Sequence, residues 1–360
     1  MRKNKNSLSY LALQKFKQNK TGVFSFWYIV LCGFIAVFCY LIAPDTSSNA
    51  NQMHLEIHSK APGYKTSLLV IPNTKEQGFF SKFMYGKKHP ATEIPISSYR
   101  MERDTLILQL KTNKLASKEI PISKFNGPIE NYIKEKTYYF GTDRYGRDLL
   151  SRILIGTRIS FFIGFVAVFI SLILGISIGA IAGYFGGKVD SFLMWIINIT
   201  WSIPTLLLVI AITLALGKGF WQVFIAVGMT MWVEVARVVR GQIMSSKKMQ
   251  YVEAAKALGF SNFRIVFKHI LPNIMAPIIV ISAANFAASI LIESGLSFLG
   301  IGAQPPTPSW GGIIKDHFSY IILGKPYLAL IPGIAIMTLV MAFMLMGNAL
   351  RDALDVKNNN

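Results

Sequence analysis

Charge is scarce in this chain: 15% of its 360 residues are Asp, Glu, Lys or Arg, against about a quarter in a soluble domain. With 52% hydrophobic residues and a positive mean hydropathy, so little charge excludes an ordinary water-soluble globule and points to lipid as the solvent. Cysteine is nearly missing. Cys32 and Cys39 are the two present; both fall in one apolar run, on one helical face, where they cannot bridge to each other. A disulfide framework and a metal site are thereby excluded, and packing is the expected role. None of the five histidines (His54, His58, His89, His269, His317) lies in an apolar run. That removes membrane-embedded Ser–His proteolysis, and no zinc-ligand spacing occurs. A nucleotide-binding P-loop is also missing. Gly186-Gly187-Lys188-Val189 comes nearest, but it has no glycine five residues before Gly187, and Val189 has no hydroxyl for Mg²⁺. The chain is therefore expected to be no enzyme, with no catalytic or metal-binding residues and no cofactor of its own.

What the sequence does hold is a basic excess, a formal charge of +19. Such a charge first suggests nucleic acid, yet here the basic residues flank apolar runs instead of forming a stripe. Six runs, 24–43, 159–183, 190–216, 220–239, 274–300 and 327–348, are long enough for a bilayer core of about 30 Å. The first follows a basic head without a small-residue cleavage site and reads as a retained anchor. Lys and Arg concentrate on the cytoplasmic side of membrane proteins. Residues 1–23 carry Arg2, Lys3, Lys5, Lys15, Lys17 and Lys20 with no acid, and 237–273 carries seven basic residues against Glu253. Both are expected in the cytoplasm, and an even number of spans returns the C-terminus there.

The expected organisation is a basic head (1–23), a first transmembrane helix (24–43), an extracytoplasmic insert (44–140), a five-helix core (141–350) containing the loop 237–273, and a tail (351–360). In fold class this is an all-α polytopic membrane protein of six helices with a small β-rich insert after the first. In the insert, Ser67–Ile71 and Thr105–Leu110 are rich in β-formers. The pentad Glu-Ile-Pro-Ile-Ser occurs at Glu93–Ser97 and Glu119–Ser123, and its proline suits an edge strand.

The loop after the fourth run is the most informative stretch. Ala254, Ala255 and Ala257 favour a short helix. Gly259 stands at a left-handed C-cap position, and Ser261 is able to cap a second short helix that ends before Pro272. Tyr251, Ala254, Ala255 and Leu258 recur at helical spacing, which predicts one small, smooth face. Periodicity alone suits either a hairpin packed under the membrane or a helix-in-groove ligand.

Glu253-Ala254-Ala255, three residues, Gly259, nine residues, a pair, then Leu271-Pro272 resembles the signature loop of importer-type ABC permeases, which often have Ile where this chain has His269. The segments Gly141–Asp148 with Ser151-Arg152, Leu296–Gly300, Pro305–Gly311 and Leu350–Asp355, with the basic Lys15–Lys20, are similar to the peptide/nickel branch and its C-type subunit. The resemblance covers about 10–43 and 140–356 and leaves out 44–136. It implies a bacterial inner-membrane permease forming half of a path for peptides. The implied partners are a homologous B-type permease, two ABC ATPases that bind ATP and Mg, and an extracytoplasmic peptide-binding protein. It also implies that Tyr251, Glu253, Ala254, Ala255, Leu258, Gly259, Leu271 and Pro272 form the ATPase-coupling loop.

A proton-coupled secondary transporter is the competing reading, because two acidic residues fall in apolar runs. Glu234 precedes Arg237 by three residues, which suggests an interfacial ion pair. Glu293 has no basic neighbour in sequence; a pathway or gating role and a helix–helix hydrogen bond are both open. Pro204, with Ser202 beside it, is either tolerated in the third span or a pore-lining bend.

Overall fold

Residues 8–73, 75, 77–111, 117–217 and 219–354 are described in the computed structural model of the chain. Arg2, Lys3 and Lys5 of the basic head, and the tail beyond 354, lie outside the described residues. The helices are α1 (Leu8–Gln18), α2 (Lys20–Ile42), α3 (Phe79–Tyr85), α4 (Leu149–Phe185), α5 (Gly187–Ser202), α6 (Thr205–Leu216), α7 (Phe220–Ser246), α8 (Gln250–Ala257), α9 (Asn262–Arg264), α10 (Met275–Phe298), α11 (Trp310–His317) and α12 (Tyr327–Leu354). Among the described residues, five helical stretches are long and apolar enough to cross a membrane, and the bent pair α5–α6 makes six if counted as one span. Two compact units form, one from residues up to Gly33, Ser160–Ala303 and Ala335 onward, the other from Phe34–Ile159 and Gln304–Ile334.

In the first unit the expected third span is not one helix. α5 stops at Ser202 and α6 starts at Thr205, with a 92° bend between them. The cause is local: Pro204 disfavours helical backbone at the residue before it, and Ile203 is extended (φ −87°, ψ 127°). Thr200 Oγ1 donates to Ile196 O (3.0 Å) and Ser202 Oγ to Ile199 O (2.7 Å), so hydroxyls serve the carbonyls at the broken end. Pro332, by contrast, sits inside an unbroken α12.

A glycine stripe joins α4 to α7. A Cβ added at Gly175, Gly179 or Gly183 would stand 2.5 Å from Val235 Cβ, 2.4 Å from Ala236 O or 2.8 Å from Arg240 O. The four-residue spacing of these glycines gives one flat helix face, and small residues there let backbones approach closely in lipid. The same helices share a core with Leu296 of α10, in which Ile163, Ala167, Phe224 and Val227 are buried.

The expected second short helix ending before Pro272 is also corrected. A continuous helical path runs Asn262–Phe298, through a π-helical turn at Ile265–Ile270 and a 3₁₀ turn at Leu271–Ile274. These changes of hydrogen-bond register absorb the N–H that Pro272 lacks.

The second unit holds a five-stranded antiparallel sheet in the order β4-β3-β2-β1-β5, from β1 (Tyr64–Ile71), β2 (Thr92–Glu102), β3 (Thr105–Leu110), β4 (Ser117–Pro121) and β5 (Ile133–Tyr138). Leu69, Ile94, Leu106, Leu108 and Ile120 close its core with Phe125 and Ile129. Pro121 lies on the edge strand β4, as expected of its pentad. Pro95 does not: β2 is an interior strand. It is tolerated because Pro95 faces Leu68 of β1, while pairing with β3 begins only at Ile96.

Candidate functional site

The short helix α8 is fixed from beneath. Val252 and Ala255, three residues apart, are buried in a core with Ala180 and Tyr184 of α4, Val235, Val239 and Ile243 of α7, and Ile265, Val266 and Ile270 of the π-turn. Its C-terminus closes by two bonds, Phe260 N–H to Ala255 O (3.1 Å) and Gly259 N–H to Lys256 O (2.9 Å). This is the paired-bond cap that needs a left-handed residue at its corner, and Gly259 supplies it with φ +73°. Phe260 then turns into the core, under the Arg264 guanidinium, 4.1 Å from the ring centroid, and stacked on His269. Ser261 Oγ accepts from Arg264 N–H, the cap expected of it.

The smooth face expected from Tyr251, Ala254, Ala255 and Leu258 is therefore split. Ala255 is 4% exposed and belongs to the protein's own core. Tyr251 (39%) and Leu258 (72%) stay open, together with Glu253, Ala254 and Ala257. The reason is that one face of an eight-residue helix has to anchor it, and Val252 selects the Ala255 side. Leu271 is drawn into the same core, whereas Pro272 is exposed. Val252 and Phe260, which hold the loop, are the residues that local pattern alone passes over; the apolar step of three from 252 to 255 was the available signal.

At the α5–α6 bend lies a cavity of about 170 Å³, lined by Thr200, Trp201 and Thr205 at the break, Thr230 and Glu234 of α7, and Ile292 of α10. Glu234 makes no ion pair with Arg237 among the described residues. Arg237 donates instead to Asn198 Oδ1 (2.7 Å) and lies 3.2 Å from the Trp201 ring centroid. Asn198 and Trp201 offer an amide oxygen and a π face at once, which draws the guanidinium across to α5 and leaves Glu234 exposed. Glu293 is fully buried, and it accepts from Ser297 Oγ at 2.6 Å. Ser202 and Pro204 sit at the bend and are exposed. Arg240 grips Asp190 with two bonds of 2.5 and 2.6 Å, tying α7 to the start of α5.

In the second unit, the segment Gly141–Arg152 is a polar brace. Asp143, fully buried, accepts from Tyr145 N–H, Arg147 N–H and Arg147 Nε (2.8, 3.0 and 2.6 Å). Arg144 pairs with Asp316 at 3.1 Å, and its N–H donates to His317 Nε2 (3.2 Å). His317 Nδ1 stands 2.7 Å from Ile313 O. One nitrogen accepts and the other donates, which is the neutral imidazole; burial pushes its pKa below the ordinary value. Beside the sheet, burial would raise the Glu93 carboxyl, but His54 and Lys136 outweigh it and hold it below the usual range. No group of three or more metal-ligating side chains occurs among the described residues.

Comparison with known proteins assigns the chain. Residues 175–357 match the model of the binding-protein-dependent transport system inner membrane component, and residues 7–62 match the N-terminal transmembrane domain of oligopeptide transport permease C. The first match covers the end of α4 and every element from α5 to α12. The chain belongs to this family of importer permeases. The dipeptide transport system permease protein DppC of Lactococcus lactis is 31% identical over 98% of this chain and 92% of its own length. The DppC of Alkalihalophilus pseudofirmus is 40% identical over 69% of this chain and 79% of its own. The glutathione transport system permease protein GsiD of Pectobacterium atrosepticum is 39% identical over 61% and 73%. This permease is thus the C-type, multi-pass component of an ABC importer and carries no ATPase domain; in such systems ATP is used by partner subunits.

Proposed function

We propose that the chain forms half of the translocation path of an ATP-driven peptide importer, and that α8 transmits the ATPase's motion to the spans. The observation that carries this reading is an exposed edge, Tyr251–Ala254–Leu258, standing on a foot that is buried between α4 and α7. Glu253, Gly259 and Pro272 complete the water-facing side of the loop. A small face on a rigid stem suits insertion into a partner's cleft. A push on that face reaches α4 and α7 together, because the Gly175–Gly179–Gly183 stripe allows them no gap to slide through. It then reaches the α5–α6 bend through Arg240 and Asp190. The cavity at that bend, with Glu234 in its wall and Ser202 and Pro204 in the bend itself, is the candidate stretch of the path. Two rigid arrangements of these helices around it are what alternating access requires.

The partners follow from the family arrangement: a homologous B-type permease, two ABC ATPases holding ATP and Mg, and an extracytoplasmic binding protein. The cargo class, short peptides, follows the relatives named for dipeptides and glutathione. Positive charge in 1–23 and 237–273 supports both termini and the α8 loop in the cytoplasm of a bacterial inner membrane, with 44–140 outside and 141–350 as the permease core.

The competing reading is proton coupling through Glu293 and Glu234, of which Glu234 faces the cavity. Reconstitution with the ATPases and the binding protein separates the two. Peptide uptake at constant ATP is expected to survive collapse of the proton gradient and to stop in Glu234→Gln only if the carboxylate contacts cargo. Uptake that an uncoupler abolishes at constant ATP would replace this reading with proton coupling.

A further inference from the structure

The sheet-bearing insert carries one feature that transport coupling leaves unused, the helix α3. Five of its seven residues, Phe79-Phe80-Ser81-Lys82-Phe83-Met84-Tyr85, are aromatic or Met, and none of the seven is buried. Phe79, Phe80 and Tyr85 are 75%, 73% and 63% exposed. A water-facing helix with three such side chains open would be an aggregation site, so a covering medium is required.

The position of α3 identifies that medium. Its C-terminal end is fastened to the chain that leaves the first span. Lys87 N–H donates to Thr46 O (2.8 Å), Ser48 N–H to Lys87 O (3.1 Å), and Ser48 Oγ to Tyr85 O (2.6 Å). Phe83 packs edge-on against Phe38 of α2, ring centroids 5.7 Å apart. Arg158 of α4 donates to Met84 O at 2.7 Å. Phe38 lies four residues before the end of α2 at Ile42, or about 6 Å along the axis. That is the level at which hydrocarbon gives way to headgroups, given an interfacial layer of several ångströms on each side of a core of about 30 Å. The open side chains of α3 continue the open apolar surface of α2, where Phe34, Val37 and Leu41 are 53%, 47% and 57% exposed. Lys82, Lys87, Lys88 and His89 are exposed beside it, as suits phosphate headgroups.

We propose that α3 is an interfacial membrane anchor: Phe79, Phe80 and Tyr85 enter the leaflet at the Ile42 end of α2, and Lys87 and Lys88 meet lipid phosphates. This rests on α2 crossing the membrane and not on the coupling loop or the cargo. The anchor seats the five-stranded sheet against the bilayer, so the insert is held by the lipid surface as well as by its covalent link to α2. Aromatic rings at the water–lipid boundary and basic residues beside them are the usual composition of such anchors.

The test is spin-label depth measurement on the assembled importer in lipid nanodiscs. A nitroxide is placed at Phe80→Cys, and separately at Tyr85→Cys, in a cysteine-free background that includes Cys32→Ala and Cys39→Ala. Glu135→Cys, exposed on β5, is the aqueous reference. The expected result at residues 80 and 85 is high access to oxygen with low access to a water-soluble nickel chelate, an oxygen-to-nickel ratio several-fold above that at 135. Equal ratios at 80 and 135 would place the helix in water and overturn the proposal. Low access to both reagents at 80 and 85 would mean that a protein subunit covers α3, and would overturn it as well.

Discussion

The amide of Phe260 donates to the carbonyl of Ala255 at 3.1 Å, a bond that closes α8 and brings Phe260 to the same core that buries Ala255. Ala255 and Phe260 are drawn inward together, so Tyr251, Ala254 and Leu258 are left facing out. The two alanines of one Glu-Ala-Ala triplet consequently have opposite tasks. Ala255→Trp would force a large ring into a packed core, at a cost of about 1–3 kcal/mol. It is expected to lower folded permease and its melting temperature in detergent. Ala254→Trp should leave both unchanged. Thermal unfolding of the two variants side by side checks this, and equal stability would mean that Ala255 is not the anchor.

Gly259 is predicted to resist replacement by residues that dislike positive φ. Gly259→Val places a β-branched residue at φ +73°, a strain of about 1–3 kcal/mol, and Gly259→Asn is expected to cost much less. Nothing stands within 4 Å of an added Cβ there, so the difference would report backbone strain alone. Coupled ATP hydrolysis in proteoliposomes should follow the order Gly, Asn, Val.

Much of this was legible in the sequence where the cause is local. The Gly259 cap, the Ser261 cap, and the strands at Ser67–Ile71 and Thr105–Leu110 all follow from residue chemistry within a few positions. What depended on a distant partner was not legible. The side of α8 that turns inward is decided by Tyr184 and Val239, and the partner of Arg237 by Asn198 and Trp201 on another helix. β5 (Ile-Lys-Glu-Lys-Thr-Tyr) alternates charge in a way that marks no strand until β1 pairs with it. Pro204 left a tolerated proline and a bend both open, and the 92° angle at the break could not be read from it.

The stripe on α4 makes a third prediction. Gly179→Leu would drive a side chain into the backbone of α7 at Ala236, forcing apart two helices whose association in lipid rests on close packing. Membrane accumulation and the melting temperature should both fall. Gly241→Leu is the control, because nothing lies within 4 Å of its added Cβ.

The brace predicts a pH dependence. His317 is buried as the neutral imidazole, with a pKa below the ordinary 6.5. As pH falls below about 6.5, the unfolded chain takes up a proton that the folded protein refuses. Stability is therefore complete above that pH and declines beneath it, by up to about 1.4 kcal/mol per pH unit, until the folded pKa is passed. Melting temperatures between pH 7 and 5 should show this slope, and His317→Gln should flatten it.

The most direct test of the coupling role is ATPase capture by permease variants that remain folded. Ala254→Trp and Leu258→Asp change only exposed positions of α8 and its C-cap. Each is expected to insert and to pair with the sister permease at wild-type levels, while ATPase retention and peptide-stimulated hydrolysis fall sharply. Wild-type ATPase retention and uptake in both variants would contradict the account and leave α8 as scaffold.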